Sequence, residues 1–347
     1  MPSIREVAKE AGVSIATVSR ALNGHQSVNP ELRARVLEAA GACNYQPTVG
    51  KRTAERIALI YTGPFLVGSP YDSACLDGIV TAMRRSKYDL VTLDMSRDRN
   101  RGESLRQFFT RKGVAGAIVR STFDDREMLQ ELATEGLPMV VLGDHFEARE
   151  LQFCYADSST ASREAIEHLL SLGHQQIGFA SCDRDDGDHN DRMSAFRSTM
   201  EAAGLLREEF IYRVPPYRLD GAPLIRRILS RDDRPTALFI ADPLVAVGVV
   251  NEAHSLGVSV PGDLSVVSVD DSDTRNMVYP QLSAVCQDSK RIGEAAFEAV
   301  CSLVSGDPSG LQGGDHQQAW FEIHDSTAPP PEVISRFRPG VRKGVRS

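Results

Sequence analysis

The 347-residue sequence contains no long hydrophobic run, and its apolar stretches stay well short of the roughly 20 residues that a membrane-spanning helix needs. The first ten residues are charged and amphipathic, without the apolar core of a secretory signal, so we expect a cytoplasmic location. Six cysteines are scattered with no CxxC pair, which predicts reduced thiols and argues against a zinc site or a disulfide frame. Walker, GxSxG and HExxH motifs are also missing, so we expect neither an enzyme nor a cofactor.

Charge is unevenly distributed along the chain. The first 56 residues hold eight basic and five acidic residues, whereas the rest of the chain holds 31 basic and 42 acidic ones. A basic head on an acidic body fits a phosphate-binding module joined to a part that does not bind nucleic acid. The length suits two or three domains, and 41% hydrophobic residues are typical of a soluble protein with a sizeable core.

The first 46 residues predict three short helices. Ser3 opens an S-x-x-E capping box for the first helix, and Gly12 ends it. Ser14 is a good N-cap for the second helix, which we expect to run to about Asn23, and Asn29-Pro30 starts the third. Apolar residues recur at helical spacing in all three, so they can share one core. Two helices joined by a tight glycine-containing turn, with a third behind them, predict a helix-turn-helix.

The second helix carries small and polar residues opposite its apolar face. Arg20 can offer a bidentate fork to guanine, and the serine and threonine hydroxyls can bond phosphates. We predict DNA contacts at Ser14, Ile15, Ala16, Thr17, Ser19, Arg20, Asn23, His25 and Arg52. The same core pattern would also suit a three-helix cap or a dimerisation unit, so periodicity alone leaves that alternative open.

The residues from Ile4 to Asn23 resemble the opening of the lac repressor/galactose repressor (LacI/GalR) family. They meet every fixed position of the pattern V-A-x-x-A-G-V-S-x-x-T-V-S-R-x-L-N without a gap. The resemblance implies that Ile15 and Ala16, which follow the serine of the GVS triplet, choose the operator bases. Both side chains are apolar and cannot hydrogen-bond a base edge, so we expect Arg20 to carry much of the polar base reading. A dimer is expected, since two such heads read a pseudo-palindrome.

The linker after the third helix departs from that family. The resemblance implies a hinge helix, which would wedge leucines into the minor groove and kink the DNA. Here Tyr45-Gln46-Pro47 is kept, but Gly50 and Lys51 interrupt the helix, and Ala54 stands where the wedge leucine is expected. Because glycine is a poor helix former, we predict weak or absent intercalation and little bending of the DNA.

The body alternates strand and helix patterns, which predicts parallel sheets with helices on both faces. The predicted strands are Ile57–Tyr61, Leu90–Leu93, Ala117–Val119, Met139–Leu142, Ile177–Ala180, Ala237–Ile240 and Ser265–Val269. Gly113–Ile118, Arg234–Phe239 and Val260–Asp271 resemble motifs of the same family, so the resemblance covers about residues 4–328. It implies an all-α helix-turn-helix head and an α/β body of two flavodoxin-like, periplasmic-binding-protein-like lobes. Such lobes bind ligands at the carboxyl ends of their strands, here in the cleft between them.

The predicted organisation has three parts and a tail. We predict a helix-turn-helix domain at 1–46, a shortened linker at 47–56 and an effector-binding domain at 57–328. The chain is expected to cross between the lobes three times, which makes both discontinuous: about 57–158 plus 289–318, and 159–288 plus 319–328. Residues 329–347 contain three consecutive prolines and five basic residues but no leucine heptads, which predicts a disordered tail that does not tetramerise the protein.

Six residues are candidates for holding the effector: Tyr71, Asp72, Arg192, Tyr217, Asp242 and Asp270. The resemblance implies that Arg192 and Asp270 match the arginine and aspartate with which the family holds its effector. Carboxylates and arginine beside an aromatic ring suit polyols, so we expect a sugar or sugar derivative. Each residue could instead be a salt-bridge partner, a turn former or a core tyrosine.

The acidic run Asp183–Asp191 invites interpretation as a calcium loop. It has glycine at its fifth position and Ser194 where the loop needs glutamate, so we expect no metal there. We predict a solvated loop at the cleft mouth, with His189 and Asp191 as further candidates for effector contacts. His174 lies at a helix-to-strand turn, which favours a structural role.

The sequence thus predicts a homodimeric transcription regulator, expected to be a repressor, that binds DNA and is controlled by a small effector. A solute-binding protein of a transporter would share the body, but it would need an export signal and no helix-turn-helix. An enzyme of doubly wound fold would need a nucleophile–base pair or a phosphate loop at a strand end, and the sequence shows neither. No membrane partner is expected.

Overall fold

The computed structural model describes residues 3–22, 28–43, 45, 56–62, 68–121, 125–148, 150–182, 186–307 and 316–332. Within these residues the head comprises helices α1 (Ile4–Glu10), α2 (Ile15–Leu22) and α3 (Pro30–Ala42). The capping box expected at the start of α1 is present, since Ser3 and Glu6 each bond the other's backbone N–H. Val7, Val18 and Val36 are fully buried and join the three helices in one small core.

The first lobe is built on a parallel sheet with the strand order β11-β5-β4-β3-β1-β2. Its strands are β1 (Arg56–Tyr61), β2 (Asp89–Asp94), β3 (Gly116–Arg120), β4 (Met139–Leu142), β5 (Gln152–Asp157) and β11 (His316–Gln318). Its helices are α4 (Pro70–Met83), α5 (Met95–Asp98), α6 (Leu105–Lys112), α7 (Arg126–Thr134) and α12 (Ser289–Ser305). Successive β1 residues face opposite sides, so Ile57 and Leu59 join the core with α4 and α12, whereas Ala58 and Ile60 join the core with α6 and α7.

The second lobe repeats this plan with the strand order β12-β10-β9-β8-β6-β7. Its strands are β6 (Ile177–Cys182), β7 (Ile211–Val214), β8 (Ala237–Ile240), β9 (Ser265–Asp270), β10 (Ser283–Cys286) and the antiparallel edge strand β12 (Trp320–Glu322). Its helices are α8 (Ser159–Ser171), α9 (Gly187–Ala202), α10 (Gly221–Leu229) and α11 (Pro243–Ser255). Phe179 and Phe239 pack with α8 and α9, whereas Leu238 and Ile240 pack with α10 and α11.

The chain passes between the two sheets three times. It leaves the first sheet after β5, returns through α12, and crosses again at Ala319 between the paired ends of β11 and β12. His174 links the last of these segments to the second lobe, with Nε2 2.8 Å from Ala328 O and Nδ1 2.9 Å from Thr236 Oγ1. The domain limits given above stay a prediction, since residues 46–55 and 333–347 lie outside the described residues.

The prediction of a solvated loop at Asp183–Asp191 is wrong from Asp186 onward. Helix α9 begins at Gly187, and the buried Asp186 carboxylate caps it by accepting the His189 N–H at 2.9 Å. Asp188 is buried as well. A run of acidic residues suggested solvent exposure, but here one carboxylate caps a helix and another lies in its first turn.

Helices α4 and α12 approach each other closely at two glycines. A Cβ on Gly78 would lie 1.9 Å from the Lys290 carbonyl oxygen, and one on Gly293 would lie 2.0 Å from the Cys75 carbonyl oxygen. Both distances are far below van der Waals contact, and the obstructing atoms belong to the backbone. The two glycines therefore set the position of α4 against α12 in the first lobe.

Gly293→Ala is expected to destabilise the protein by about 1–3 kcal/mol, because α4 and α12 must separate to admit the methyl group. Urea unfolding of the full chain measures this cost. Gly41→Ala is the matched control, since Gly41 lies in α3 with no atom within 4 Å of its added Cβ. That control should be neutral or stabilising, by up to about 1 kcal/mol. Equal unfolding midpoints for the two variants would contradict the close approach of the helices.

Candidate functional site

Helix α2 presents an exposed face opposite its buried one. Ile15 is 46% exposed, and Ala16 and Arg20 are exposed too, whereas Val18 and Ala21 are buried. Three of the residues predicted to read bases therefore share the outer face of the helix. A helix with small side chains beside a long arginine can approach base edges in a major groove.

The turn between α1 and α2 has a defined geometry. Gly12 has a φ of 62°, in the left-handed region that glycine adopts without strain. Arg35 on α3 donates its Nε–H to the Ala11 carbonyl at 3.1 Å. This contact ties the turn to the third helix, so α2 is held in a fixed orientation on the head.

The hydroxyls at the start of α2 also act as a helix cap. Ser14 Oγ accepts the Thr17 N–H at 3.1 Å and lies 2.8 Å from Thr17 Oγ1. Any phosphate bound by these two residues would share their oxygens with the cap. Ser19 is half-buried on the same helix. The predicted contacts Asn23, His25 and Arg52 lie outside the described residues.

A cleft of about 650 Å³, a volume that includes space open to solvent, lies between the two lobes and is lined by several charged residues. It is built at the carboxyl ends of the strands, since Arg120 ends β3, Cys182 ends β6 and Asp271 directly follows β9. The start of α4 contributes Tyr71 and Asp72 from the first lobe. This is the edge at which open α/β sheets bind ligands.

Four of the six predicted effector residues line this cleft, namely Tyr71, Asp72, Arg192 and Asp242. Asp270 does not, because its buried carboxylate accepts the Thr274 N–H at 2.7 Å and pairs with Arg275. The next residue, Asp271, lines the cleft instead. Tyr217 is 44% exposed, and only its neighbour Pro216 reaches the lining. The lining thus includes Asp271 and leaves out Asp270 and Tyr217, whose predicted contact with an effector stays a prediction.

Arg120 lines the cleft on the side of the first lobe, and it is not among the residues predicted from the sequence. Its Nε donates to Asp72 Oδ1 at 2.9 Å, and its Nη1 donates to the carbonyls of Leu142 and Gly143 at 3.1 and 3.2 Å. Its guanidinium lies 4.7 Å from the centroid of the Tyr71 ring. Burial alone would lower the pKa of Arg120, but the Asp72 carboxylate raises it well above its usual value.

His189 and Asp186 form a second buried ion pair, at the start of α9. His189 Nδ1 lies 2.7 Å from Asp186 Oδ1, and the ring also hydrogen-bonds the Cys182 thiol. Burial opposes the charged ring, but the Asp186 carboxylate outweighs it and raises the pKa of His189 well above its usual value. His189, which the sequence predicts as a candidate effector contact, therefore lines the cleft as a cation that is already paired with Asp186.

Asp188 and Arg192 are buried charged groups of the cleft with unmet hydrogen-bonding capacity. Each is 4% exposed, and no described residue hydrogen-bonds Asp188 Oδ1 or Arg192 Nε. Among the described residues Arg192 makes one hydrogen bond, from Nη1 to the Ala241 carbonyl, and it is long at 3.4 Å. Burial raises the pKa of Asp188 to about 7, more than the nearby Arg192 lowers it. Buried polar atoms without partners are costly, so this pair points to a ligand.

Two further carboxylates line the second lobe's side of the cleft. Asp242 caps α11 by accepting the N–H groups of Leu244 at 2.9 Å and Val245 at 3.0 Å, and burial raises its pKa to about 6. Asp271 is hydrogen-bonded by the Gln287 amide, and burial raises its pKa as well. The free edges of both carboxylates can accept hydrogen bonds from a ligand.

Two hydrogen bonds join the lobes beside the cleft. His145 Nε2 lies 2.9 Å from Asp191 Oδ2, and the Gly187 N–H donates to Asp144 Oδ1 at 2.7 Å. Burial disfavours the charged form of His145, but the bond to Asp191 raises its pKa above the usual value. Asp191, a candidate effector contact from the sequence, is therefore engaged in lobe-to-lobe contact instead.

Across the described ranges, no trio of histidine, cysteine, aspartate and glutamate side chains is grouped to hold a metal ion. No helix within those ranges is long and apolar enough to span a membrane.

Two parts of the chain match known protein families. Residues 3–48 match the family described as bacterial regulatory proteins, lacI family, and residues 166–313 match the periplasmic binding protein-like domain. Catabolite control protein A of Priestia megaterium is 27% identical over 307 residues, which cover 87% of this chain and 92% of that protein. The similarity thus extends over both head and body.

Two solved structures have the same architecture. The lac repressor dimer, bound to operator and the anti-inducer ONPF, has a TM-score of 0.67 at 20% identity and covers 94% of this chain and 99% of its own. The complex of the transcriptional regulator CelR with cellobiose has a TM-score of 0.65 at 23% identity and covers 94% and 100%. They share the fold of a helix-turn-helix head and two α/β lobes. The chain therefore combines a LacI-family helix-turn-helix domain with a periplasmic-binding-protein-like domain.

Proposed function

We propose that the protein is a homodimeric repressor whose affinity for a pseudo-palindromic operator changes when a carbohydrate binds in the cleft. The observation that carries this proposal is the union, in one chain, of an exposed DNA-reading helix and a cleft with unpaired buried polar groups. The first suits a groove of DNA and the second suits a small ligand rich in hydroxyls. This function belongs to the cytoplasm and requires no catalysis.

The proposed base reading rests on three exposed side chains of α2. Arg20 would form a bidentate pair with guanine, which is the strongest sequence-dependent contact available to this face. Ile15 and Ala16 would contact thymine methyl groups. Ser14, Thr17 and Ser19 would bind phosphates and so fix the register of the helix on the duplex.

The proposed effector site rests on side chains from both lobes. Arg192 and Asp188 are buried without full hydrogen bonding, and Asp72 and Arg120 face them from the other lobe as a ready-made pair. A structurally similar regulator is bound to cellobiose, which supports a carbohydrate here. Polyol hydroxyls both donate and accept, so they can satisfy a carboxylate and a guanidinium together.

The proposed coupling runs through the relative position of the lobes. A ligand held by both lobes favours the arrangement in which it makes most contacts, and it shifts the protein toward that arrangement by its difference in affinity. The bonds from His145 to Asp191 and from Gly187 to Asp144 hold the lobes together beside the ligand. Because each head leads in the chain to the first strand of the body, a change in the lobes would alter the spacing of the heads on DNA.

Selection of random duplexes by the full chain tests the DNA-binding part. We expect enrichment of two inverted half-sites, each with a guanine that methylation interference identifies as essential. Enrichment of a single, asymmetric site, or none at all, would contradict the proposed dimeric reading. Selection at two salt concentrations separates sequence reading from phosphate attraction.

A further inference from the structure

The cleft contains more carboxylates than cationic groups. Its carboxylates are Asp72, Asp186, Asp188, Asp242 and Asp271, and its cationic groups are Arg120, Arg192 and His189. Asp72 and Arg120 neutralise each other at 2.9 Å, and Asp186 and His189 do so at 2.7 Å. Three carboxylates, Asp188, Asp242 and Asp271, then remain near the one cation without a carboxylate partner, Arg192, so the lining has more acidic than basic groups to satisfy.

Hydrogen bonds from the protein relieve this excess only in part, since Asp242 accepts two backbone N–H groups and Asp271 is bonded by Gln287, whereas Asp188 Oδ1 has no such bond from the described residues. Asp188 Oδ1 is buried and accepts nothing from the described residues, and burial, with a further contribution from Asp186, raises its pKa to about 7. An uncompensated buried carboxylate is costly, and a cation placed beside it offsets that cost. A neutral hydroxyl would complete the hydrogen bond but would not favour the charged form of Asp188, as a cation does.

Aromatic stacking contributes little to this cleft. Tyr71 is the one tyrosine, phenylalanine or tryptophan in its described lining, and its ring is covered by Arg120. Tyr217 lies off the lining. Recognition must therefore rest on charge and hydrogen bonds. Arg192 Nε is buried and unpartnered, so the ligand must also supply an acceptor, which a simple polyamine lacks.

We propose that the effector is an amino sugar, whose ammonium group binds against Asp188 and Asp271 and whose hydroxyl oxygens accept from Arg192. This inference rests on the proposed function and specifies its ligand. The ammonium supplies the missing positive charge, and the hydroxyl groups supply both donors and acceptors. An N-acetylated sugar keeps the shape of the ring but has no charge. Comparing its affinity with that of the free amino sugar therefore separates the effect of charge from the effect of ring shape.

Titration calorimetry on the full chain provides the test. The probes are glucosamine, galactosamine and mannosamine, each compared with its N-acetyl derivative and its parent hexose. At least one free amino sugar should bind tenfold or more tightly than both of its neutral counterparts. Asp188→Asn should remove that preference, whereas Asp89→Asn should keep it, since Asp89 is exposed at the amino end of β2, away from the carboxyl strand ends.

The outcomes separate this inference from the proposed function. If a parent hexose or an N-acetyl sugar binds as tightly as its free amine, the amino-sugar assignment is overturned and a carbohydrate effector stands. If none of the nine compounds binds, both the assignment and the carbohydrate effector fail, whereas duplex selection still tests DNA binding. The comparison of ligands uses the unmodified chain. It therefore tests the inference even if the Asp188→Asn protein fails to fold.

Discussion

Arg20→Ala is expected to weaken specific operator binding by about 10- to 100-fold, corresponding to the 1–3 kcal/mol of a bidentate arginine–guanine pair. Its neighbours on the exposed face of α2, Ile15 and Ala16, have no polar group that could replace the lost contact. Binding to random DNA should fall far less, since it depends on the summed attraction of phosphates. Fluorescence anisotropy on a selected operator and on a scrambled duplex measures both affinities.

Two control variants separate the fork of Arg20 from its charge. Arg20→Lys keeps the charge but loses the bidentate geometry, so it should lose most of the specificity as well. Arg84→Ala removes an exposed arginine at the end of α4 and should leave operator binding unchanged. Full specific affinity in Arg20→Ala would show that another residue reads the polar base edges.

Arg192→Ala is expected to weaken effector binding by about 10- to 100-fold and to abolish the effector's influence on operator binding. A hydrogen bond to a charged group contributes about 1.5–3 kcal/mol, and Arg192 is the buried cation of the cleft without a carboxylate partner of its own. Its loss also leaves Asp188 and Asp271 without the charge that offsets them. Titration calorimetry with the tightest compound of the sugar panel measures the loss.

Arg197→Ala is the matched control for this variant. Arg197 lies on the same helix, α9, but is partly exposed and pairs with Glu208 at 2.8 Å. Such surface pairs contribute little, so effector affinity should stay within about twofold of the unmodified chain. If the two variants bind the sugar equally well, Arg192 does not hold the effector.

The head was the most predictable part of the chain. Its helices begin or end at local signals that need no distant partner: α1 begins at a capping box at Ser3 and is followed by the left-handed Gly12, and α3 begins at the N-cap Asn29. All seven strands predicted for the body are present. Six of them are largely buried apolar runs, whereas β2 is a half-buried edge strand. The strands that were missed, among them β5 (Gln152–Asp157) and β11 (His316–Gln318), carry polar side chains and depend on pairing with distant strands.

The lining of the cleft was only partly predictable, because it depends on the direction in which each side chain points in the folded protein. Asp270 and Asp271 are adjacent at the end of β9, and only the fold shows that the second lines the cleft while the first binds Thr274 and Arg275. The position of Arg120 in the sequence could have identified it as a site residue. A charged residue closing the buried run Gly116–Val119 is costly unless its strand ends at a functional edge.

The most direct test of the account is the operator affinity of the full chain with and without its effector. Anisotropy titrations of a selected operator should give dissociation constants that differ at least fivefold when the tightest compound of the sugar panel is present at saturation. The same compound should change nothing in Arg192→Ala. Equal operator affinities with and without a saturating, cleft-bound sugar would contradict the claim that the cleft controls the DNA-reading head.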